Sequence, residues 1–167
     1  LNGDVGSVAV KVTATDSSNA KVADTFNLTI TNTNDAPTVA NAIVDQSIAE
    51  DSALNFQFNT NVFADVDADD TLTYTATLAD GSALPSWLSF STTTQTFTGT
   101  PLNGDVGSIA VKVTATDSSD ATVADTFNLT ITNTNDAPAI NNPIVDQSIA
   151  EDSALNFQFN TNVFADV

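Results

Sequence analysis

Apolar and polar residues alternate along most of the chain. Leu54, Phe56 and Phe58 share one parity, and Leu72, Tyr74, Ala76 and Leu78 repeat the pattern. Ile109, Val111, Val113 and Ala115 follow, then Phe127, Leu129 and Ile131. A period of two belongs to a strand buried on one face, whereas a helix would space its apolar residues three and four apart. Shorter runs at 43–48, 87–90 and 95–98 predict further strands. Thr fills many of the polar positions, where a β-branched side chain suits the pleat. Asp80-Gly81, Asn103-Gly104 and Ala36-Pro37 are turn pairs between the runs. About seven short strands in about 100 residues, with no helical stretch, predict an all-β, immunoglobulin-like Greek-key sandwich.

The pattern also repeats on a longer scale. LNGDVGS starts at Leu1 and at Leu102, NTNDAP ends at Pro37 and at Pro138, and AEDSALNFQFNTNVFADV starts at Ala49 and at Ala150. Each offset is 101 residues. Residues 1–66 overlie 102–167 with seven differences, at Val8/Ile109, Asn19/Asp120, Lys21/Thr122, Thr38/Ala139, Val39/Ile140, Ala40/Asn141 and Ala42/Pro143. Close copies at a fixed period indicate a tandem array of sandwiches. With the frame set at the NDAP turn, 35–135 is expected to be one complete 101-residue repeat. Residues 1–34 are then the C-terminal part of a preceding repeat and 136–167 the N-terminal part of the next, so the chain reads as an excerpt of something longer. Neither part holds enough strands to bury a core alone.

Composition narrows the function. Apolar residues make up 41% of the chain, enough for a packed core. Nineteen Asp and two Glu face three Lys and no Arg, for a net charge of −18. Such a surface cannot neutralise phosphates, so nucleic acid is excluded as a partner, and anionic membranes are disfavoured. No apolar run is long enough to cross a bilayer, so no direct membrane insertion is expected. The absence of Cys removes disulfides and thiolate metal sites. Cations are the natural partners.

The acids cluster between the apolar runs: Glu50-Asp51, then Asp65, Asp67, Asp69 and Asp70, then Asp105, Asp117 and Asn34-Asp35. Ca²⁺ takes six to eight hard oxygens from carboxylates, amides and carbonyls. Two like charges about 4 Å apart repel by about 4 kcal/mol at an effective dielectric near 20. The bland alternative is an acidic surface that only keeps a secreted protein soluble.

Four stretches carry a resemblance: FADVDADDTLTYTATLADGSALPSWLSF (63–90), TFTGTP (96–101), VKVTATDSS (111–119) and TNTNDAP (132–138). In these the chain resembles the cadherin superfamily, and more closely its bacterial dystroglycan-type, putative-Ig branch. The resemblance implies cadherin-like sandwiches with Ca²⁺ at the junctions of successive repeats. Glu50 stands where the strand-A glutamate belongs, Asp65-Val66-Asp67 matches DxD, and Asp105 falls at the LDRE position. Asp117 matches A-x-D, and Asn135-Asp136 matches the D-x-N-D-N-x-P linker. LDRE offers two acids where this repeat has one, and the linker lacks a residue before Ala, so fewer ions per junction are expected.

The resemblance thus implies two metal sites. One would draw on Asp4, Asn34, Asp35, Asp65, Asp67 and Asp117, the other on Glu50, Asp105, Asn135, Asp136 and Asp166. The first should be nearer to complete. Asp65, Asp67 and Asp69 have the 1-3-5 spacing of an EF-hand, but Asp70 replaces its Gly and Ala76 its bidentate Glu, so no EF-hand is predicted. Pairs such as Asp45 and Glu50 have no cleft signal beside them, and the chain has no His, so no catalysis is expected. Trp87 reads as a core residue among Leu and Phe.

The expected function is a structural or adhesive extender of a secreted bacterial surface protein, extracellular and stiffened by Ca²⁺. Its partners are neighbouring repeats in the same chain, with surface polysaccharide or another cell-surface protein beyond. The alternatives are a carbohydrate- or protein-binding module using Trp87 and Tyr74, or a filament subunit with exchanged strands.

Overall fold

A computed structural model describes residues 2–67 and 70–166. Its strands are β1 (Gly6–Thr15), β2 (Lys21–Ile30), β3 (Thr38–Val39), β4 (Gln46–Ala49), β5 (Leu54–Gln57), β6 (Phe63–Ala64) and β7 (Thr73–Leu78). Then come β8 (Leu88–Ser91), β9 (Thr96–Gly99), β10 (Gly107–Thr116), β11 (Thr122–Thr132), β12 (Ala139–Ile140) and β13 (Phe164–Ala165). Single 3₁₀ turns at Asn2–Asp4 and Asn103–Asp105 precede the two long hairpins.

The protein is an all-β, immunoglobulin-like sandwich flanked by the β1–β2 hairpin and the short β12–β13 pair. One layer is β4-β11-β10-β7 and the other β5-β9-β8, with β3 and β6 paired at the side. β10 pairs antiparallel with both β11 and β7, while β4 joins β11 in parallel, Ser47 opposite Thr130. The inward parity of each run is the one read from the sequence. Val111, Val113 and Ala115 of β10 are fully buried, as are Phe127, Leu129 and Ile131 of β11. Phe56 and Phe97 of the second layer meet Phe127 edge-on at 5.6 Å, so aromatic contacts close the two layers.

The predicted strand at 43–48 starts later, at Gln46. Side chains take over the pairing before it: Ile43 donates its N–H to Asp125 Oδ2 at 2.6 Å, and Asn128 N–H donates to Asp45 Oδ1 at 2.7 Å. β3 and β6 are two-residue strands, too short to show a period.

Outside this sandwich the picture changes. β1 and β2 pair in the register of β10 and β11 moved by 101 residues, Gly6 opposite Ile30 as Gly107 is opposite Ile131. Yet every residue of β2 is exposed, and in β1 only Val10 is even half-buried. Among described residues 139–166, Val163 alone is buried.

Candidate metal centre

The β10–β11 turn shows how the sequence shapes one corner of the site. Asp117 Oδ1 accepts from the N–H groups of Ser119 at 2.9 Å and Ala121 at 2.8 Å, closing an Asx-type turn. Asp120 sits at φ 67, a conformation Asp tolerates better than most residues. Asp16 forms the same turn with Ser18 and Ala20, so the geometry is local. At Asp117 something is added: Oδ2 accepts from the Asn34 amide at 3.0 Å. That donation, foremost, holds the Asp117 carboxyl below its ordinary 3.8; desolvation opposes it, and the two backbone N–H groups assist.

Asn34 and Asp35 follow β2, and they carry the hairpin onto the sandwich. Asp35 N–H donates to Asp67 Oδ2 at 2.8 Å. The Asn2 amide donates to both Asp35 Oδ2 and Asp67 Oδ1 at 3.0 Å, bridging two carboxylates. Asp67, 6% exposed, takes its place because its N–H donates to Asp65 Oδ1 and its carbonyl accepts from Asp70 N–H. Oxygens of Asp65, Asp67 and Asp70 lie within 4.8 Å of one another. Ser118 Oγ donates to Asp70 Oδ1. Asp65 Oδ2 and Asp70 Oδ2 are buried with no hydrogen-bond partner.

A second corner lies at the other linker. Glu50 is 1% exposed; its N–H donates to Thr132 O, and its Oε1 accepts from Thr134 N–H at 2.7 Å. Its Oε2 is buried without a partner. Asp51, at φ 59, donates its N–H to Pro101 O, which brings 101–103 alongside. Asn103 donates to Asp136 Oδ2 at 3.4 Å, a longer copy of the Asn2–Asp35 contact. Asn135 donates to its neighbour's carbonyl, Asp136 O, as Asn34 does to Asp35 O.

Of the first predicted set, the structure brings together Asn34, Asp35, Asp65, Asp67 and Asp117, while Asp4 ends the turn whose first residue, Asn2, makes the bridging contacts. Of the second, Glu50 and Asn135-Asp136 share a corner, Asp105 Oδ2 accepts from Leu102 N–H within its own turn, and Asp166 follows β13. Asp69 lies outside the described residues. Sequence reasoning missed Asn2 as a candidate site residue and left Asp70 out of both predicted sets. The signal for Asn2 was the Asn-Gly-Asp turn, in which only the acid had been considered. Asp70 had been named in the acidic run with Asp65, Asp67 and Asp69 and weighed as a misfit for an EF-hand glycine, but placed in neither metal set.

A buried carboxylate oxygen without a donor is costly, so the residues fit a hard cation. Carboxylates and a hydroxyl converge, with neither sulfur nor imidazole among them, which is a donor set for Ca²⁺ rather than Zn²⁺. Tyr74 and Trp87 are half-buried against the core, where the sequence places Trp87. Among the described residues no helix is long and apolar enough to cross a membrane.

The family model of the putative Ig domain matches residues 36–132. No curated protein matches the chain. Among solved structures, the chain is similar to extracellular cadherin domains 1–4 of protocadherin gamma B7, at 18% identity over 91% of this chain and 38% of that one, with a TM-score of 0.49. It is similar to an endo-fucoidan hydrolase of glycoside hydrolase family 107, at 18% identity over 80% of this chain and 20% of that one, TM-score 0.46. It is also similar to the PKD domain of the KIAA 1837 protein, at 14% identity over 65% of this chain and 93% of that domain, TM-score 0.40. The chain thus spans well under half the length of the protocadherin and hydrolase structures.

Proposed function

The chain belongs to the putative Ig domain family, and on that footing we propose that it is an extender repeat of a secreted bacterial surface protein, structural or adhesive, whose seams between repeats are stiffened by Ca²⁺. In this reading 35–135 is the complete repeat, and 1–34 and 136–167 are parts of its neighbours. The observation that carries it is the set of partnerless buried oxygens, Asp65 Oδ2, Asp70 Oδ2 and Glu50 Oε2, each beside a linker. Each of these carboxylates has a donor on one oxygen and none on the other, which leaves the second oxygen free for a cation.

Asp65, Asp67 and Asp70 would hold an ion at the first seam, with Asp35 and Asp117 beside them. Glu50 and Asp136 would serve the second. Bound Ca²⁺ supplies positive charge that offsets the mutual repulsion of these carboxylates. The chain's own part is to align two beads: Asn2 and Asn34 reach from the hairpin side to carboxylates of the sandwich, so the seam already has a defined geometry. An ion shared across it would resist bending. Sites of extracellular modules bind with Kd near 10⁻⁴–10⁻³ M, so calcium of the surroundings would load them outside the cell and not within it. A packing role for Tyr74 and Trp87 leaves the glycan-stacking alternative without a supporting observation.

Small-angle scattering of the chain in Ca²⁺ and in EDTA tests this. The reading expects a longer and narrower distribution of maximum dimension with Ca²⁺. An identical distribution in both would overturn it.

A further inference from the structure

We propose that the two Asn-Gly turns, Asn2-Gly3 and Asn103-Gly104, are self-deamidation sites that replace a neutral donor at each seam with a carboxylate. The starting point is a pair of glycines that the fold does not need. Both lie in the 3₁₀ turns, and neither takes the left-handed backbone seen at Gly6 and Gly107. A Cβ built on Gly3 or Gly104 would meet nothing within 4 Å. Gly104 is backed by its own sandwich, and Gly3 faces that sandwich across the seam, so the room is there on both sides of the turn. Glycine lowers stability here through the entropy of the unfolded chain, with no compensating contact or conformation.

What glycine supplies is chemical. Asparagine is among the thermolabile residues, and a following residue without a side chain leaves its own backbone nitrogen unshielded beside the amide carbon. The first N–H groups of a helical turn have no partner within it. Here the turn's bonds begin at Asp105 N–H and Val106 N–H, just beyond Gly104. Gly104 N attacks Asn103 Cγ, a C–N bond forms, the Cγ–Nδ2 bond breaks, and the backbone proton leaves with the amide nitrogen as ammonia. Water then opens the succinimide at either carbonyl, leaving Asp or isoaspartate. Both glycines are exposed, and an open cleft lined by Asn2, Gly3, Val66 and Asp67 admits water to the first turn. Helical ψ holds the nitrogen away from Cγ, so the turn must open first and the conversion is slow.

The effect falls on the seam. Asn2 donates to Asp35 Oδ2 and Asp67 Oδ1, and Asn103 donates to Asp136 Oδ2. A carboxylate in place of the amide has no proton to donate, so these bonds are lost. One more negative charge then faces the same acids. Without a cation the hairpin side and the sandwich part, and the alignment of the two beads decays with age. This rests on the seam contacts and is independent of the calcium reading.

The test uses the whole 167-residue chain, aged in EDTA at mildly alkaline pH. Peptide mass mapping, with isoaspartate labelled by an isoaspartyl methyltransferase, should find Asn2 and Asn103 converted ahead of every other asparagine. Gly3→Ala/Gly104→Ala should slow both conversions at least about tenfold, while leaving the unfolding of the sandwich, followed by Trp87 fluorescence, unshifted. Asn2→Asp, which makes one product directly, should broaden the distribution of maximum dimension in small-angle scattering, and the aged unaltered chain should approach it. Conversion no faster at these two sites than elsewhere, an unchanged rate in the glycine double variant, or identical scattering from the fresh chain and Asn2→Asp would each overturn the proposal. Because Ca²⁺ is absent throughout, that failure would leave the calcium reading standing. Equal scattering in Ca²⁺ and EDTA would remove the calcium reading and leave this one.

Discussion

Asn34 donates its side-chain amide to Asp117 Oδ2 across 83 positions of sequence, at 3.0 Å, and so ties the linker after the hairpin to the far turn of the sandwich. Asp117 is already turned toward it by its two backbone donors. The long-range contact is therefore an addition to a local structure that stands without it.

Replacing Asn34 by Ala should then loosen the seam without weakening the sandwich. Trp87 fluorescence melts should shift by less than about 0.5 kcal/mol, as for surface substitutions generally. Residual dipolar couplings of the hairpin and the sandwich, described by one alignment frame in the unaltered chain, should need two in Asn34→Ala.

Glu50 presents the opposite case, a buried carboxylate with one oxygen satisfied and one not. Glu50→Gln keeps the shape and the acceptor for Thr134 N–H while removing a buried charge. In EDTA the variant should melt no lower than the unaltered chain. In Ca²⁺ it should lose about 1.5–3 kcal/mol of the calcium-dependent gain in stability, the range for a contact to a charged group. Differential scanning calorimetry under both conditions checks the two signs together.

Tyr74 is the chain's one tyrosine, so phenolate absorbance reports it alone. Burial favours the neutral phenol and raises its pKa above 10.0. The unfolded chain ionises first, so this group leaves stability unchanged below pH 10 and lowers it as pH rises from there through the folded value. A spectrophotometric titration should find the folded midpoint above that of the urea-unfolded chain.

Gly99 sits where β9 passes Trp87. A Cβ there would collide with the Trp87 carbonyl oxygen and press on its ring. Gly99→Ala should cost about 1–3 kcal/mol, the range for overpacking, with the loss read by chemical denaturation.

Much of this was legible beforehand, and for a physical reason. Val111, Val113 and Phe127 announce themselves because a half-buried strand must alternate, and the 101-residue echo supplies the tandem pattern. The start of β4 was not legible, because Asp125 and Asp45 satisfy backbone donors that a strand would otherwise have paired. In the site, Asp65, Asp67 and Asp117 stand out by charge. Asn2 does not, since an amide is unremarkable until the fold places it between Asp35 and Asp67. Asp70 stood in the same acidic run, but its place beside Asp65 and Asp67 shows only in the fold, where Ser118, far along the chain, donates to it.

Calorimetric titration of Ca²⁺ into the chelator-treated chain, beside the Asp65→Asn/Asp70→Asn variant, bears most directly on the calcium seam. Saturable binding with Kd near 10⁻⁴–10⁻³ M in the unaltered chain, weakened at least about tenfold in the variant, is the predicted result. Equal heats from both proteins, or no saturable heat from either, would contradict it.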